Sequence, residues 1–467
     1  MKKTTTILAA MLMVINIIQA QWTELGSDHP LAANNLIFSI TTDQAGNVYA
    51  AGEFSDTFTR TYYVAKWQGD SAWVPLGTGA NALKANGYIY SIATDAAGNV
   101  YAAGAFTDAQ YQSSGNIYVA KWDGTSWTKL GASGVSHVPN SAGSAIYSIA
   151  LDASGNIYAA GAFKNSGSYY YVCKWDGSAW AELGTGSNAL KANHYIHNVV
   201  TDPSGNVYAT GDFTDANGAQ YVAEWNGTSW SEMGTGSQAL DANSPITALT
   251  ADVNGNVYVA YADSFANYHV AKWNGSNWNN VGALHVNNSI NTLTTDNAGN
   301  LYAAGNFSDG NGGKYVAKYD TAWSELGTGT NALNANSYIL TLATDVNRNV
   351  YAAGHFTDLY NTYYVAKYDP NNQGPNGMMD ISSVSDLILS PNPANDHLNI
   401  TISTTQTSSM TVVVYDMSGR EIRTLYQGVM ESGKKNIIFD THTIVAGVYL
   451  IKISDGKSNT QKRFVKI

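Results

Sequence analysis

Apolar residues recur at every second position through the stretch from Ile89 to Gly131, never at the third-and-fourth spacing of a helix. It reads I-Y-S-I-A-T-D, A-A-G-N, V-Y-A-A-G-A-F, a variable loop, I-Y-V-A-K-W, D-G-T-S, W-T-K-L-G. Four short runs rich in Val, Ile, Tyr, Trp and Ala are separated by turn residues. The pattern predicts four antiparallel strands, a to d, with nothing helical inside.

The unit repeats, and its strand d tryptophans set the register: Trp22, Trp73, Trp127, Trp180, Trp230, Trp278 and Trp323. Their spacing of 45 to 54 residues suits propeller blades and exceeds the period of leucine-rich or helical-hairpin repeats. A lone sheet of this size has two apolar faces and buries neither by itself. Each copy must therefore stack on two neighbours, which a closed ring achieves while exposing only short edges. The repeats open with a solitary strand d, from Trp22 to Gly26, and end on a strand c, from Tyr364 to Tyr368. The first strand is expected to complete the last sheet, giving an all-β, seven-bladed β-propeller clasped by its own ends.

Charged residues make up 13% of the 467-residue chain and aromatics 12%. The formal net charge of -11 falls on the repeats, because the segment from Ser385 onward has a small positive balance. Nucleic acid is excluded as an expected partner on that ground. Lys2 and Lys3, the apolar run from Ile7 to Ile18 and Ile18-Gln19-Ala20 predict a signal peptide over residues 1–20. No other stretch is expected to span a bilayer. Cys173 is the single cysteine and stands where other copies have Ala65, Ala120 or Ala223, so it reads as a small core residue.

The a to b turn is Asp-x-x-Gly-Asn in six copies, with glycine supplying the left-handed residue and aspartate accepting backbone N–H groups. Calcium is the one ion these turns admit, although one carboxylate per turn is few; no other cofactor is expected. In the seventh copy Arg348 replaces the glycine, which predicts a strained or altered turn. The c to d turns are hairpins that place paired tryptophans opposite each other, and the strand c lysines read as structural.

The b to c and d to a connections are long, variable and expected on the opposite face, where a repeat scaffold acquires specificity. The d to a loops end in Asn34, Asn86, Asn193, Asn243, Asn287 and Asn336, with a diverged copy at Asn140. These form either a polar collar around the channel mouth or caps closing their own loops. With Tyr88, Tyr195 and Tyr338 they are the candidate binding residues. Histidines crowd the same face: His29, His137, His194 and His285 in d to a loops, His355 after strand b, His197 in an innermost strand. Only His269 lies elsewhere in the repeats. The end of strand b also varies, with Glu53, Asp212 and His355 among its occupants, and adjacency of blades seven and one predicts that His355 approaches Glu53. Glu53, His194, His197, Asp212 and His355 are thus the candidate catalytic residues for a sugar or peptide. No metal-ligand set, serine elbow, H-E-x-x-H, phosphate loop or dinucleotide fingerprint is present.

The pattern stops in a linker over residues 370–383, P-N-N-Q-G-P-N-G-M-M-D at its core. Residues 384–467 alternate as a separate, Ig-like β-sandwich. Their Pro391-Asn392-Pro393, Tyr415-Asp416, Ser418-Gly419-Arg420, Ala446-Gly447-Val448-Tyr449 and terminal Lys462-Arg463-Phe464-Val465-Lys466 closely resemble the C-terminal sorting domain of type IX secretion substrates of Bacteroidetes. The resemblance implies recognition by the type IX machinery and a secreted or outer-membrane surface-attached product. The repeats, over 21–369, are similar to SBBP- and NHL-type propeller repeats, which serve mostly as binding scaffolds, although lyases and lactonases share the architecture. The expectation is a surface propeller that binds an extracellular glycan or protein through its variable face. An extracellular glycan- or peptide-cleaving enzyme and a structural adhesion component are the alternatives.

Overall fold

The computed structural model describes residues 22–467 except 27–30, 70–71, 109–114, 132–143, 241, 243, 328–330, 359, 371–383, 392, 405–406, 417–419 and 455–458. The leader, Asn243, His29, His137, Asn140 and nearly all of the linker lie outside the described residues. One compact unit runs from Gln21 to Pro370 and a second covers Asn371–Ile467.

The second repeat shows why the sequence folds as it does. Strands Ile89–Thr94, Val100–Gly104, Ala120–Trp122 and Trp127–Lys129 pair antiparallel in chain order. Strand b is buried along its whole length, as a strand covered on both faces must be. Among the described residues, seven four-stranded sheets of this kind lie between Trp22 and Tyr368. Six are continuous in sequence. The seventh joins Ile339–Thr344, Val350–Gly354 and Ala366–Tyr368 to Trp22–Glu24, with Trp22 opposite Tyr368 and Glu24 opposite Ala366. Each innermost strand packs on the next, and Ile339–Thr344 packs back on Ile37–Thr42, so the sheets close a ring.

Burial between sheets holds the ring together. Phe54, Phe106, Phe213, Phe307 and Phe356 are fully buried at equivalent positions, each contributing about 1.5–3 kcal/mol of hydrophobic stabilisation. The core joining blades seven and one contains Ile37, Ile40, Val48 and Phe54 against Tyr351, Ala353 and Val365.

Two hydrogen-bonded belts run around it. In the outer belt the indole N–H of every strand d tryptophan donates to a main-chain carbonyl of the preceding blade, at 2.5 to 3.0 Å. Trp22 donates to Leu326 and Trp73 donates to Leu25, so the clasping strand is stapled on both sides. In the inner belt Thr42, Thr94, Thr201, Thr295 and Thr344 donate their hydroxyls to carbonyls of the previous innermost strand. Blades three and five carry Leu151 and Ala251 at that position.

All seven a to b turns share one network. In blade two, Asp95 accepts the backbone N–H groups of Ala97 and Asn99, the Asn99 amide and the Tyr101 hydroxyl. The turn at Arg348 keeps the same bonds. The expected alteration therefore does not occur; the strain is confined to Arg348 itself, at φ 65°. Paired tryptophans such as Trp122 and Trp127 sit opposite each other with ring centroids 5.9 Å apart. Lys66, Lys121, Lys174 and Lys272 lie over the strand b tyrosines at 5.5 to 5.7 Å. Cys173 is buried, and burial pushes its thiol well above the ordinary range.

In the second unit one sheet holds Val384–Ser390, His397–Thr404 and Gly433–Asp440. The other orders Glu421–Met430, Ser408–Asp416, Gly447–Ser454 and Asn459–Lys466. Leu398, Ile400 and Ile402 of the first share one core with Val412, Val414, Ile451, Ile453 and Phe464 of the second.

Candidate functional site

In six of the seven sheets a bulge at the start of the innermost strand turns one extra side chain out of the ladder. In blade two Ile89 pairs with Gly104 and Ser91 with Ala103, which leaves Tyr90 as the extra residue. Gly104 is required there, because a Cβ would lie 2.0 Å from the Tyr88 carbonyl oxygen. The residue after that glycine resumes the ladder: Glu53 and Asp212 donate their N–H groups to Leu36 and Tyr195. The bulge residues are Phe38, Tyr90, Tyr147 and His197 in blades one to four, then Asn291 and Leu340 in blades six and seven. Blade five has no such bulge in its register and carries Tyr261 where the others have glycine.

The four aromatic posts meet across blade boundaries. Centroid distances are 5.5 Å for Phe38–Tyr90, 5.6 Å for Tyr90–Tyr147 and 5.3 Å for Tyr147–His197, the last pair stacked. Tyr88 joins the arc beside Phe38, and Tyr195 joins it beside Tyr147. Every one of these rings is partly exposed.

Three candidate catalytic residues converge at one end of the arc. His194 Nδ1 lies 3.3 Å and His197 Nε2 2.9 Å from the same Asp212 carboxylate oxygen. Asp212 directly follows the strand paired with that of His197 in one blade, so the pairing needs no contact across the channel. The other two candidates are not paired as the sequence suggests. Glu53 accepts the phenol of Tyr88, a bond that with the carboxylate's charge pushes the Tyr88 pKa up to about 12. His355 packs instead between Tyr338 and Tyr363, stacked on the latter at 6.0 Å. Away from the arc, His269 pairs with Asp263 at 2.9 Å, and His285 lines a cleft with Asp309 and Glu325.

The described asparagines of the d to a loops are occupied within their own blades. Asn34, Asn86, Asn193, Asn287 and Asn336 each take the backbone N–H of the residue 21 positions later on their side-chain oxygen. Their amide nitrogens donate back to the same residue. They brace the loop face from within. The b to c loops are also less variable than their sequences suggest. Asn165, Asp215, Asp263, Asp309 and Asp358 each hold the N–H groups two and four residues on, closing the same turn. Asp56 anchors a longer version. Phe58, Phe265 and Tyr360 project from three of these tips, at least 85% exposed.

A cavity of about 410 Å³ opens at the opposite end of the innermost strands, lined by Thr42, Thr94, Thr295 and Thr344 with Asp43, Asp95, Asp296 and Asp345. Its carboxylates do not fit calcium, because both oxygens of each are already committed to donors of their own turn. Among the described residues no group of three or more His, Cys, Asp or Glu is arranged to hold a metal ion.

Of the arc, sequence reasoning named only Tyr88, Tyr195, His194 and His197. Phe38, Tyr90 and Tyr147 were detectable from the glycine closing V-Y-A-A-G or I-Y-A-A-G, since an isolated strand glycine marks a bulge.

Residues 389–467 match the family model of the secretion system C-terminal sorting domain. The tail is a type IX secretion sorting domain. A chain that carries this sorting domain is exported and becomes secreted or attached at the cell surface. Among the described residues no helix is long and apolar enough to cross a membrane. No curated protein matches the sequence. Among solved structures the chain is similar to PorZ, a surface component of the type IX secretion system of Porphyromonas gingivalis, with 18% identity and a TM-score of 0.47. That alignment covers 93% of this chain and 59% of PorZ. The extracellular domain of a hybrid two-component system from B. thetaiotaomicron aligns at 10% identity and a TM-score of 0.49, over 96% of this chain and 57% of that one. Virginiamycin B lyase from Staphylococcus aureus aligns at 11% identity and a TM-score of 0.48, over 75% of this chain and 99% of the lyase. The chain thus spans less than two thirds of the first two proteins.

Proposed function

We propose that this is a surface-directed, seven-bladed propeller that binds an extracellular partner, glycan or protein, through the face bearing the b to c and d to a loops. In this reading residues 1–20 are a cleaved leader, 21–369 the ring, 370–383 a connector and 384–467 an Ig-like sandwich read by the type IX machinery. One observation carries the binding role. Bonded frames hold the loop face in place, while the side chains at its posts differ from blade to blade and gather aromatics over blades one to four. Fluorescently labelled full chain is tested on a glycan array and against blotted extracellular proteins. Saturable binding that is weakened by Tyr88→Ala, Tyr195→Ala supports the reading; no binding on either surface refutes it.

The meeting of His194, His197 and Asp212 favours a second reading, hydrolysis of a glycan or peptide with imidazole as the proton carrier. Turnover of chromogenic glycosides or peptides that disappears in Asp212→Asn and His197→Ala supports it. Equal turnover in both variants rules it out.

A further inference from the structure

We propose that the aromatic arc over blades one to four is a saccharide-binding site for a neutral glycan chain, with Glu53 and Asp212 as hydroxyl acceptors at its two ends. This rests on the loop-face reading above and deepens it. A sugar ring presents a C–H face and a hydroxyl edge, so a site for it combines ring faces with fixed polar groups. The arc offers that combination. Phe38, Tyr90, Tyr147 and His197 follow one another at 5.3 to 5.6 Å, each partly exposed.

The two halves of the mouth are built for different tasks. In blades five and six, Thr247 and Asn291 spend their side chains on carbonyls of the next innermost strand, Ile290 and Ile339. They close the ring. The phenols of Tyr90 and Tyr147, by contrast, have no hydrogen-bond partner among the described residues although both rings are half-buried. A half-buried hydroxyl gains from a ligand that supplies one. The carboxylates set the charge of that ligand. Asp212 is held by two imidazoles and Glu53 by the Tyr88 phenol, which fixes their orientation. Their negative charge disfavours uronic or sulfated chains and suits hydroxyl donors.

The test is affinity electrophoresis of the full chain through native gels containing dextran, mannan, xyloglucan or, as the anionic control, alginate. Retardation is expected in at least one neutral gel and not in alginate. Tyr90→Ala, Tyr147→Ala together should weaken that affinity on the order of tenfold or more, while Tyr147→Phe, which keeps the ring face and loses only the hydroxyl's bond, should weaken it by a smaller factor. Near-ultraviolet circular dichroism confirms that the variants stay folded. Retardation in no neutral gel, or a shift unchanged in the double variant, overturns the inference. If the chain still binds blotted extracellular protein, only the saccharide assignment falls. Failure on both gels and protein removes the loop-face reading as well.

Discussion

Replacing Trp22 with phenylalanine tests whether one hydrogen bond at the seam keeps the ring shut. The indole is 6% exposed, lies 5.5 Å from the Tyr368 ring and donates to the Leu326 carbonyl at 2.7 Å. Phenylalanine keeps an aromatic ring against Tyr368 but removes the donor, leaving a buried carbonyl unsatisfied at about 1–3 kcal/mol. The smaller ring adds about 1 kcal/mol for lost contacts, so the total is about 2–4 kcal/mol. Trp278→Phe is the control, since it deletes the equivalent bond to Met233 at 2.9 Å. The strand at Trp278 is tethered to its sheet by the hairpin turn of Asn274. Trp22–Glu24 has no such tether and joins Ala366–Tyr368 only through non-covalent pairing. Both variants should lower the guanidinium midpoint. Only Trp22→Phe should also let a protease clip the amino end before global unfolding, seen as a shortened intact mass. An unchanged midpoint in Trp22→Phe, or clipping no faster than in the control, refutes the clasp as the weak point of the ring.

The same seam should accept a covalent lock. Glu24 and Ala366 are direct cross-strand partners, and Glu24→Cys, Ala366→Cys should stabilise the chain by about 4 kcal/mol under oxidising conditions, an effect abolished by reductant. Arg348→Gly should stabilise the chain by about 0.5–1 kcal/mol in thermal unfolding, because the residue sits at φ 65° and the turn's bonds do not involve its side chain. Acid should weaken the ring. Burial pushes the carboxyls of Asp95 and Asp152 up, but the bonds from Asn99, Asn156, Tyr101 and Tyr158 outweigh it and leave both below the ordinary value. Folded-state values so depressed give stability that is present above the unfolded pKa of about 4 and lost as pH falls through the folded one. Denaturant midpoints measured from about pH 6 to about pH 3 should drop below pH 4, and less so in Asp95→Asn. Finally, Cys173 should resist a thiol reagent in the folded chain and react fully once unfolded, since it is buried with a thiol pKa pushed well upward.

Much of the architecture is written in short-range patterns, and such patterns are legible in the residues themselves. Period-two alternation marks the strands, and Asp-x-x-Gly-Asn marks a turn whose bonds all lie within seven residues. A solitary strand d at one end and a missing strand d at the other leave a single arrangement that satisfies both edges. The tail is legible for another reason: it matches a family whose pattern is carried in the sequence itself.

What the residues face across blade boundaries was decided only by packing. Nothing local to Trp22 names Leu326 as its acceptor, some 300 positions away. Nothing local to Glu53 says that it meets Tyr88 of the following blade while His355 turns to Tyr363. His194, His197 and Asp212 came together as neighbours because all three belong to one blade, where register alone brings them within bonding distance. The aromatic arc needed the ring itself. In six blades a bulge allowed by a distant glycine turns one residue out of the ladder, and closure then brings rings from four repeats side by side. Alternation and turn chemistry act over a few residues and so specify the strands. The angle between stacked sheets emerges from the whole core, and it determines which side chains of different blades share a surface.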